Sequence, residues 1–355
     1  MRSSRWSIAV AVASAAALVA APAASAHAGS ARAPWTPKVL NSEVIAPFHL
    51  ATNDGRLYVA DGGTSTVSKV NGDGSLTTMA TGPMPGEVSG VAKTDNALAY
   101  TTLDYTTGVA TLTVKRGSKT MVAKLSDFEA KRNPDQKVHY GFKDPSCAKG
   151  ALGEDAGYTG RVDSHAYAVT RWNGAWVVAD AGGNDLVKVD DNGHMSLLSL
   201  LPPQPLLVSK EFADANGIPD CAGQRYKFEP VPTDVEVGRD GMLYVSTLPG
   251  GPEDPSAGAR GSVYKVNPWN GNSTRVATGF AGATSVTQAP DGTLYVAELF
   301  GGKVTAVRHG HMSTAAELPG ALAVEWGNGH LYAATMAPMD DQGMPTGTGS
   351  IVKLR

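Results

Sequence analysis

The chain is written in short alternating runs. Apolar, β-branched or aromatic residues tend to take every second position, and a turn carrying Gly closes most runs. One phrase recurs: an alternating run, a turn of Asp-Gly or Asn-Gly type, then a run of Leu-Tyr-Val type. It stands at 53–61 (NDGRLYVAD), 239–247 (RDGMLYVST) and 290–298 (PDGTLYVAE), with weaker copies at 95–100, 173–180 and 327–334. Asp-Gly and Asn-Gly accept the positive φ of tight hairpins, so each marks a reversal between antiparallel strands. The residues that follow suit a pleated, half-buried surface.

A third run and another turn come after most copies, as in Thr66–Val70 before Asn71-Gly72, Leu186–Val189 before Asn192-Gly193, and Ser262–Val266 before Asn267-Pro268. A fourth run closes the unit, as in 76–80 and 274–277. Four antiparallel strands per unit, repeated along the chain, predict the blades of a β-propeller. Aligned on Leu57, Leu98, Trp176, Leu243, Leu294 and Leu331, the copies number six and lie 41, 78, 67, 51 and 37 residues apart. A bare blade takes about 40–45 residues, so the long gaps carry insertions. The stretch 126–162 lacks the alternating phrase and reads as a loop, as does 202–230; a seventh blade hidden in the first is the alternative. The last copy ends at Ile351–Leu354, its third strand, and Pro37–Leu40 is available as the missing fourth. The expected fold is therefore all-β: a six-bladed propeller closed by an N-terminal strand, one domain over 27–355.

The first residues belong to a different grammar. Arg2 and Arg5 precede an apolar run from Ile8 to Ala21, and Ala24-Ser25-Ala26 follows. This is the layout of a signal peptide over 1–26, and no later segment is long and apolar enough to span a membrane. A secreted, extracellular protein is expected. Its two cysteines, Cys147 and Cys221, are then most simply one disulfide, a closure stabilising by about 4 kcal/mol on the chain-entropy model; two free buried thiols are the alternative. Gly at 41 and Pro at 22 of 355 residues fit a turn-rich chain. A formal charge of −3 without any basic run argues against a nucleic-acid partner.

Ligands of such rings sit at an end of the central channel, beside the innermost strands. Those strands supply His49, His165, Tyr167, Asp234, Glu236 and Ser285 as candidates. Imidazoles and carboxylates together suit a divalent cation or acid-base chemistry; the competing role is mutual satisfaction around the axis or channel water. Asp61, Asp180 and Glu298 end their Leu-Tyr-Val runs, and each is soon followed by Gly-Gly. That repeated spacing fits carboxylates accepting from turn amides. No phosphate loop, nucleophile elbow, zinc helix or calcium loop is written in the chain.

Four phrases together resemble the ScyD/ScyE family of secreted NHL-like propellers: 163–169 (DSHAYAV), 179–186 (ADAGGNDL), 232–235 (PTDV) and 246–252 (STLPGGP). Ala166 departs from the pattern, which would place Pro there. The resemblance spans nearly all of 27–355 and implies the fold, but it brings no catalytic residues to transfer. The function expected is binding or scaffolding for an extracellular ligand: a small molecule, a glycan or a surface protein. The alternative is a metal-assisted lyase or lactonase, similar to streptogramin lyase and gluconolactonase-type propellers, with its site at one end of the channel. The cofactor is left unassigned, a divalent cation being the candidate.

Overall fold

The structure, a computed structural model, describes residues 34–252 and 257–355; the signal peptide read at 1–26 lies outside them. The described residues form seven four-stranded antiparallel sheets, and the architecture is a β-propeller. Six sheets begin with the strands Pro47–Asn53, Gly86–Lys93, Ala166–Trp172, Pro232–Val237, Ala283–Gln288 and Ala321–Gly327. Each of these innermost strands packs on the next in sequence, and Ala321–Gly327 packs back on Pro47–Asn53.

The turns explain the hairpins. Asp54 and Gly55 both take positive φ (46° and 75°), the two-residue reversal that matches strand twist. Asn173-Gly174 and Asn328-Gly329 do the same. At Asp240-Gly241 only Gly is left-handed, and Asp240 Oδ1 instead accepts from the Met242 amide at 3.2 Å.

The second strands are apolar on both faces, and Ala175–Asp180 is buried along its whole length. Neither face can be left to water, so sheets stack radially. The core is accordingly divided among the gaps between sheets. Tyr58 and Val67 of the first sheet meet Val88 and Tyr100 of the second; Leu112 of the second meets Trp176 of the third. Leu186 meets Val245, Phe280 meets Val296, Val304 meets Val352, and Tyr332 returns to Leu57 of the first sheet. The fourth strand of the last sheet comes from the other end of the chain: Pro37–Val44 pairs antiparallel with Gly349–Leu354, Val39 opposite Val352.

The two stretches expected as loops are more than loops. His139–Phe142 and Gly157–Thr159 from the first pair with each other, Gln204–Leu207 and Arg225–Phe228 from the second do likewise, and His139–Phe142 joins Arg225–Phe228 to complete a seventh sheet. Phe142, Phe212, Ile218, Tyr226 and Phe228 give it an apolar core of its own. Cys147 and Cys221 form a disulfide, Cα atoms 5.3 Å apart, that joins the two insertions. No described helix is long and apolar enough to cross a membrane.

The disulfide closes a loop whose ends are 74 residues apart, so its loss should act mainly on the unfolded chain. Replacing Cys147 and Cys221 together by Ser is expected to lower unfolding stability by about 2–4 kcal/mol. Urea titrations should show the wild type falling to the variant's midpoint in dithiothreitol, with the variant unmoved by reductant.

Candidate functional site

Strand register sorts the polar residues of the axis into layers. His49 is paired with Ala60, Asp234 with Ser246 and Ser285 with Ala297, each two residues beyond the Tyr of its Leu-Tyr-Val run. The three therefore meet at one level. Asp234 Oδ1 accepts from His49 Nε2 (2.9 Å) and the Val235 amide (2.7 Å), and Oδ2 from Ser285 Oγ (2.7 Å) and the Val286 amide (2.9 Å). His49 Nδ1 lies 2.9 Å from the Val91 carbonyl. Burial works against a charged His49, but the Asp234 carboxylate and its hydrogen bond outweigh it and hold the pKa above 6.5. Although His, Asp and Ser are together, the carboxylate stands between the other two. The His49 imidazole is bonded to Asp234 and Val91 rather than to Ser285 Oγ, and every acceptor position of Asp234 is filled. This layer latches strands across the axis.

One level along, Glu236 and Glu325 face each other. Glu325 Oε1 accepts from the Thr52 amide (2.9 Å) and hydroxyl (2.8 Å). Burial, then the Glu325 and Asp234 charges, push Glu236 well above its ordinary pKa. Glu325 itself is raised by burial, against the pull of Thr52 and His49.

The opposite end of the axis, where the inner strands begin, is built differently. Phe48, Tyr167, Val231, Leu322 and Met336 form an apolar cap, with Tyr167 5.3 Å from both Phe48 and His165. At its edge His165 Nε2 meets Glu87 Oε1 at 2.5 Å, Ser89 Oγ donates to the same oxygen at 2.7 Å, and the Tyr105 hydroxyl donates to Oε2 at 2.5 Å. Burial would raise Glu87, yet the His165 charge and these donors hold it down at about 2. Burial would lower His165, but Glu87 first, then Asp180 and Asp163, keep it raised. Glu87 and His165 are buried while Tyr105 is 58% exposed, so the pair reaches solvent through the phenol. His165 is held from behind too: its amide donates to Asp180 Oδ1 at 2.6 Å.

The six sequence candidates thus fall into three groups: His49, Asp234 and Ser285 at the centre, Glu236 at one end, His165 and Tyr167 at the other. Three partners of these residues were missed: Glu87, Tyr105 and Glu325. Glu325 had a legible signal, since it sits opposite Tyr332 as Glu236 sits opposite Tyr244. The carboxylates at the strand ends do accept from turn amides: Asp61 from Ile45, Ala46 and Gly63, and Glu298 from Ala281.

No family model and no curated protein matches the chain. Solved structures do. The PQQ-bound aldose sugar dehydrogenase of Streptomyces coelicolor overlaps 91% of this chain and 99% of its own at 14% identity, TM-score 0.52. A Thermus thermophilus protein described as a putative oxidoreductase (glucose dehydrogenase) overlaps 90% and 100% at 14% identity, TM-score 0.55. A Bacteroides thetaiotaomicron protein of unknown function overlaps 90% and 72% at 14% identity, TM-score 0.53. At such identities the likeness concerns the fold alone.

The Glu87–His165 pair carries a pH signature. Glu87's folded pKa is depressed, so its contribution is complete above pH 4.5 and is lost as pH falls towards about 2. His165's folded pKa is raised, so its contribution is complete below pH 6.5 and is lost as pH climbs through the folded value. Glu87→Gln should therefore destabilise most between pH 4.5 and 6.5, by roughly 2 kcal/mol, with the gap narrowing on both sides. Urea midpoints taken across the acid and mildly alkaline range check this; a gap independent of pH would refute it.

Proposed function

We propose that this is a secreted, ScyD/ScyE-like propeller whose six sequentially packed sheets are the blades, and that the seventh sheet is an accessory wall beside a ligand-binding mouth. Six core gaps that return from Tyr332 to Leu57 support that count, as does the origin of the seventh sheet in insertions alone. Each insertion runs from the end of an outer strand, Lys119–Lys124 or Met195–Leu200, to the start of an inner strand, Ala166–Trp172 or Pro232–Val237, so both lie at the end that carries His165 and the apolar cap. The mouth then offers an apolar floor, an imidazole held by a carboxylate, and an exposed phenol. Such a surface suits a small polar-apolar ligand or a glycan, with ring stacking on Tyr105 and hydrogen bonds to the Glu87–His165 pair.

The observation that carries this reading is the Glu87–His165–Tyr105 chain, which links a buried charge pair to solvent at one end only. A second reading, an enzyme of the lyase or lactonase kind, draws on the same pair, because a carboxylate behind an imidazole raises its basicity. The central layer does not serve it, its carboxylate being saturated.

A thermal-shift screen of glycans and small metabolites against the mature chain tests the binding reading. Ligand at about 100 times its Kd stabilises by about 2.7 kcal/mol. Tyr105→Phe and His165→Gln are expected to weaken any true hit at least tenfold without loss of fold. Hits indifferent to both substitutions, or no hits, would overturn it. Turnover of a hit that disappears in His165→Gln would favour the enzyme. For export, the intact mass of protein from the culture medium should correspond to a chain starting at His27.

A further inference from the structure

The helix Leu125–Arg132 that opens the first insertion faces the loop between the second and third strands of the third sheet, 180–185. Four acidic side chains meet there, Glu129, Asp135, Asp180 and Asp185, each no more than 2% exposed. Asp180 is fully engaged, by Ser164 Oγ (2.6 Å) and by the His165 (2.6 Å) and Gly183 (3.2 Å) amides. Asp135 Oδ2 accepts from the Tyr140 hydroxyl (2.8 Å) and Asn184 Nδ2 (3.2 Å). Glu129 Oε1, Asp135 Oδ1 and both carboxylate oxygens of Asp185 are buried without any donor. The charges acting on Asp185 are Asp180, Glu129 and Asp135, all negative. A buried carboxylate in this condition takes up a proton or meets a counter-charge, and burial pushes both Glu129 and Asp185 upwards. A proton on Asp185 does not resolve it, since neither oxygen has a hydrogen-bond partner.

The space between these groups is defined by Gly183. A Cβ on that residue would lie 3.4 Å from Asp185 Oδ1, 3.4 Å from Glu129 Oε2 and 3.5 Å from Asp180 Cγ. We infer that the pocket over Gly183 is a calcium site, with Glu129 and Asp185 as ligands and Asp135 and Asp180 completing the negative surround. Among the described residues no three acidic, His or Cys side chains enclose a metal as they stand. A calcium–oxygen bond is roughly 2.3–2.6 Å long, so the carboxylates must turn towards a common point beside Gly183 to take up the ion. The donors are all oxygen and irregularly placed, which suits calcium; magnesium demands near-octahedral geometry and zinc prefers nitrogen and sulfur. An ion here would staple the insertion helix to the third sheet and, through Asp180, steady the amide of His165.

The test uses the mature chain after chelator treatment. Calorimetry is expected to show one equivalent of calcium with a rise in Tm. Terbium should luminesce on excitation through Tyr140, whose hydroxyl contacts Asp135, and calcium should displace it. Glu129→Gln and Asp185→Asn are expected to weaken binding at least 100-fold. Gly183→Ala is the gentler variant: it adds a methyl at ordinary contact distance with no change of charge, and should keep the fold while blocking the ion. Absence of stoichiometric binding to the wild type would overturn the assignment. So would binding that survives all three substitutions, which would place the ion on surface carboxylates. Tighter binding of magnesium than calcium would overturn the choice of metal.

Discussion

Everything in this molecule follows from sheets that are apolar on both faces. A strand such as Ala175–Asp180, buried throughout, must be covered from two sides, and its own sheet covers neither. Stacking sheets in a line would always leave two bare faces; bending the stack into a ring leaves none. The ring then needs a way to end, and pairing Val39 with Val352 provides it. Closure stores the first and last described strands in one sheet, so the two ends of the ring are hydrogen-bonded to each other.

Bringing six innermost strands around one axis also forces their inward side chains together. Polar residues placed there are far from water and must satisfy one another. Asp234 does this with donors from its own strand and from two others, Pro47–Asn53 and Ala283–Gln288. The centre of the channel is thus consumed by closure, which leaves chemistry to the ends. The ends are unequal because connections between sheets leave by one of them. That end carries the apolar cap, the Glu87–His165 pair and both insertions; the other carries Glu236 and Glu325, both raised by burial.

What could be read from the sequence tracks how local its cause is. Turn residues announce themselves, since Asp54-Gly55 needs only its own backbone freedom, and the strands on either side follow. The disulfide was legible from a count of two. The layers of the axis were half legible: period-two alternation names His49, Asp234 and Ser285 but not their level, which appears once each strand is registered against its Tyr-bearing neighbour. Glu87 was missed because what marks it is its contact with His165, 78 residues away in the sequence, and no local pattern carries that. The seventh sheet was illegible for a different reason. Its strands are three or four residues long, too short for alternation to stand out. The pairing that unites it, His139–Phe142 with Arg225–Phe228, joins insertions that lie on opposite sides of a whole sheet in the sequence. No window of sequence contains such a pairing.

That sheet is not an ornament on the ring, because its supports are shared with the mouth. Gln204 Nε2 reaches Thr247 Oγ1 at 2.8 Å in the fourth sheet. Asn184 donates to Asp135 in the first insertion and accepts from the amide of Val231, a residue of the apolar cap. Asp180 holds the amide of His165 and lines the acidic pocket under the insertion helix. Displacing the insertions would therefore move the imidazole as well as the wall. A propeller's rigid blades usually leave its loops free to vary alone; here the 180–185 loop couples the variable part to the fixed one, and the position of His165 depends on both.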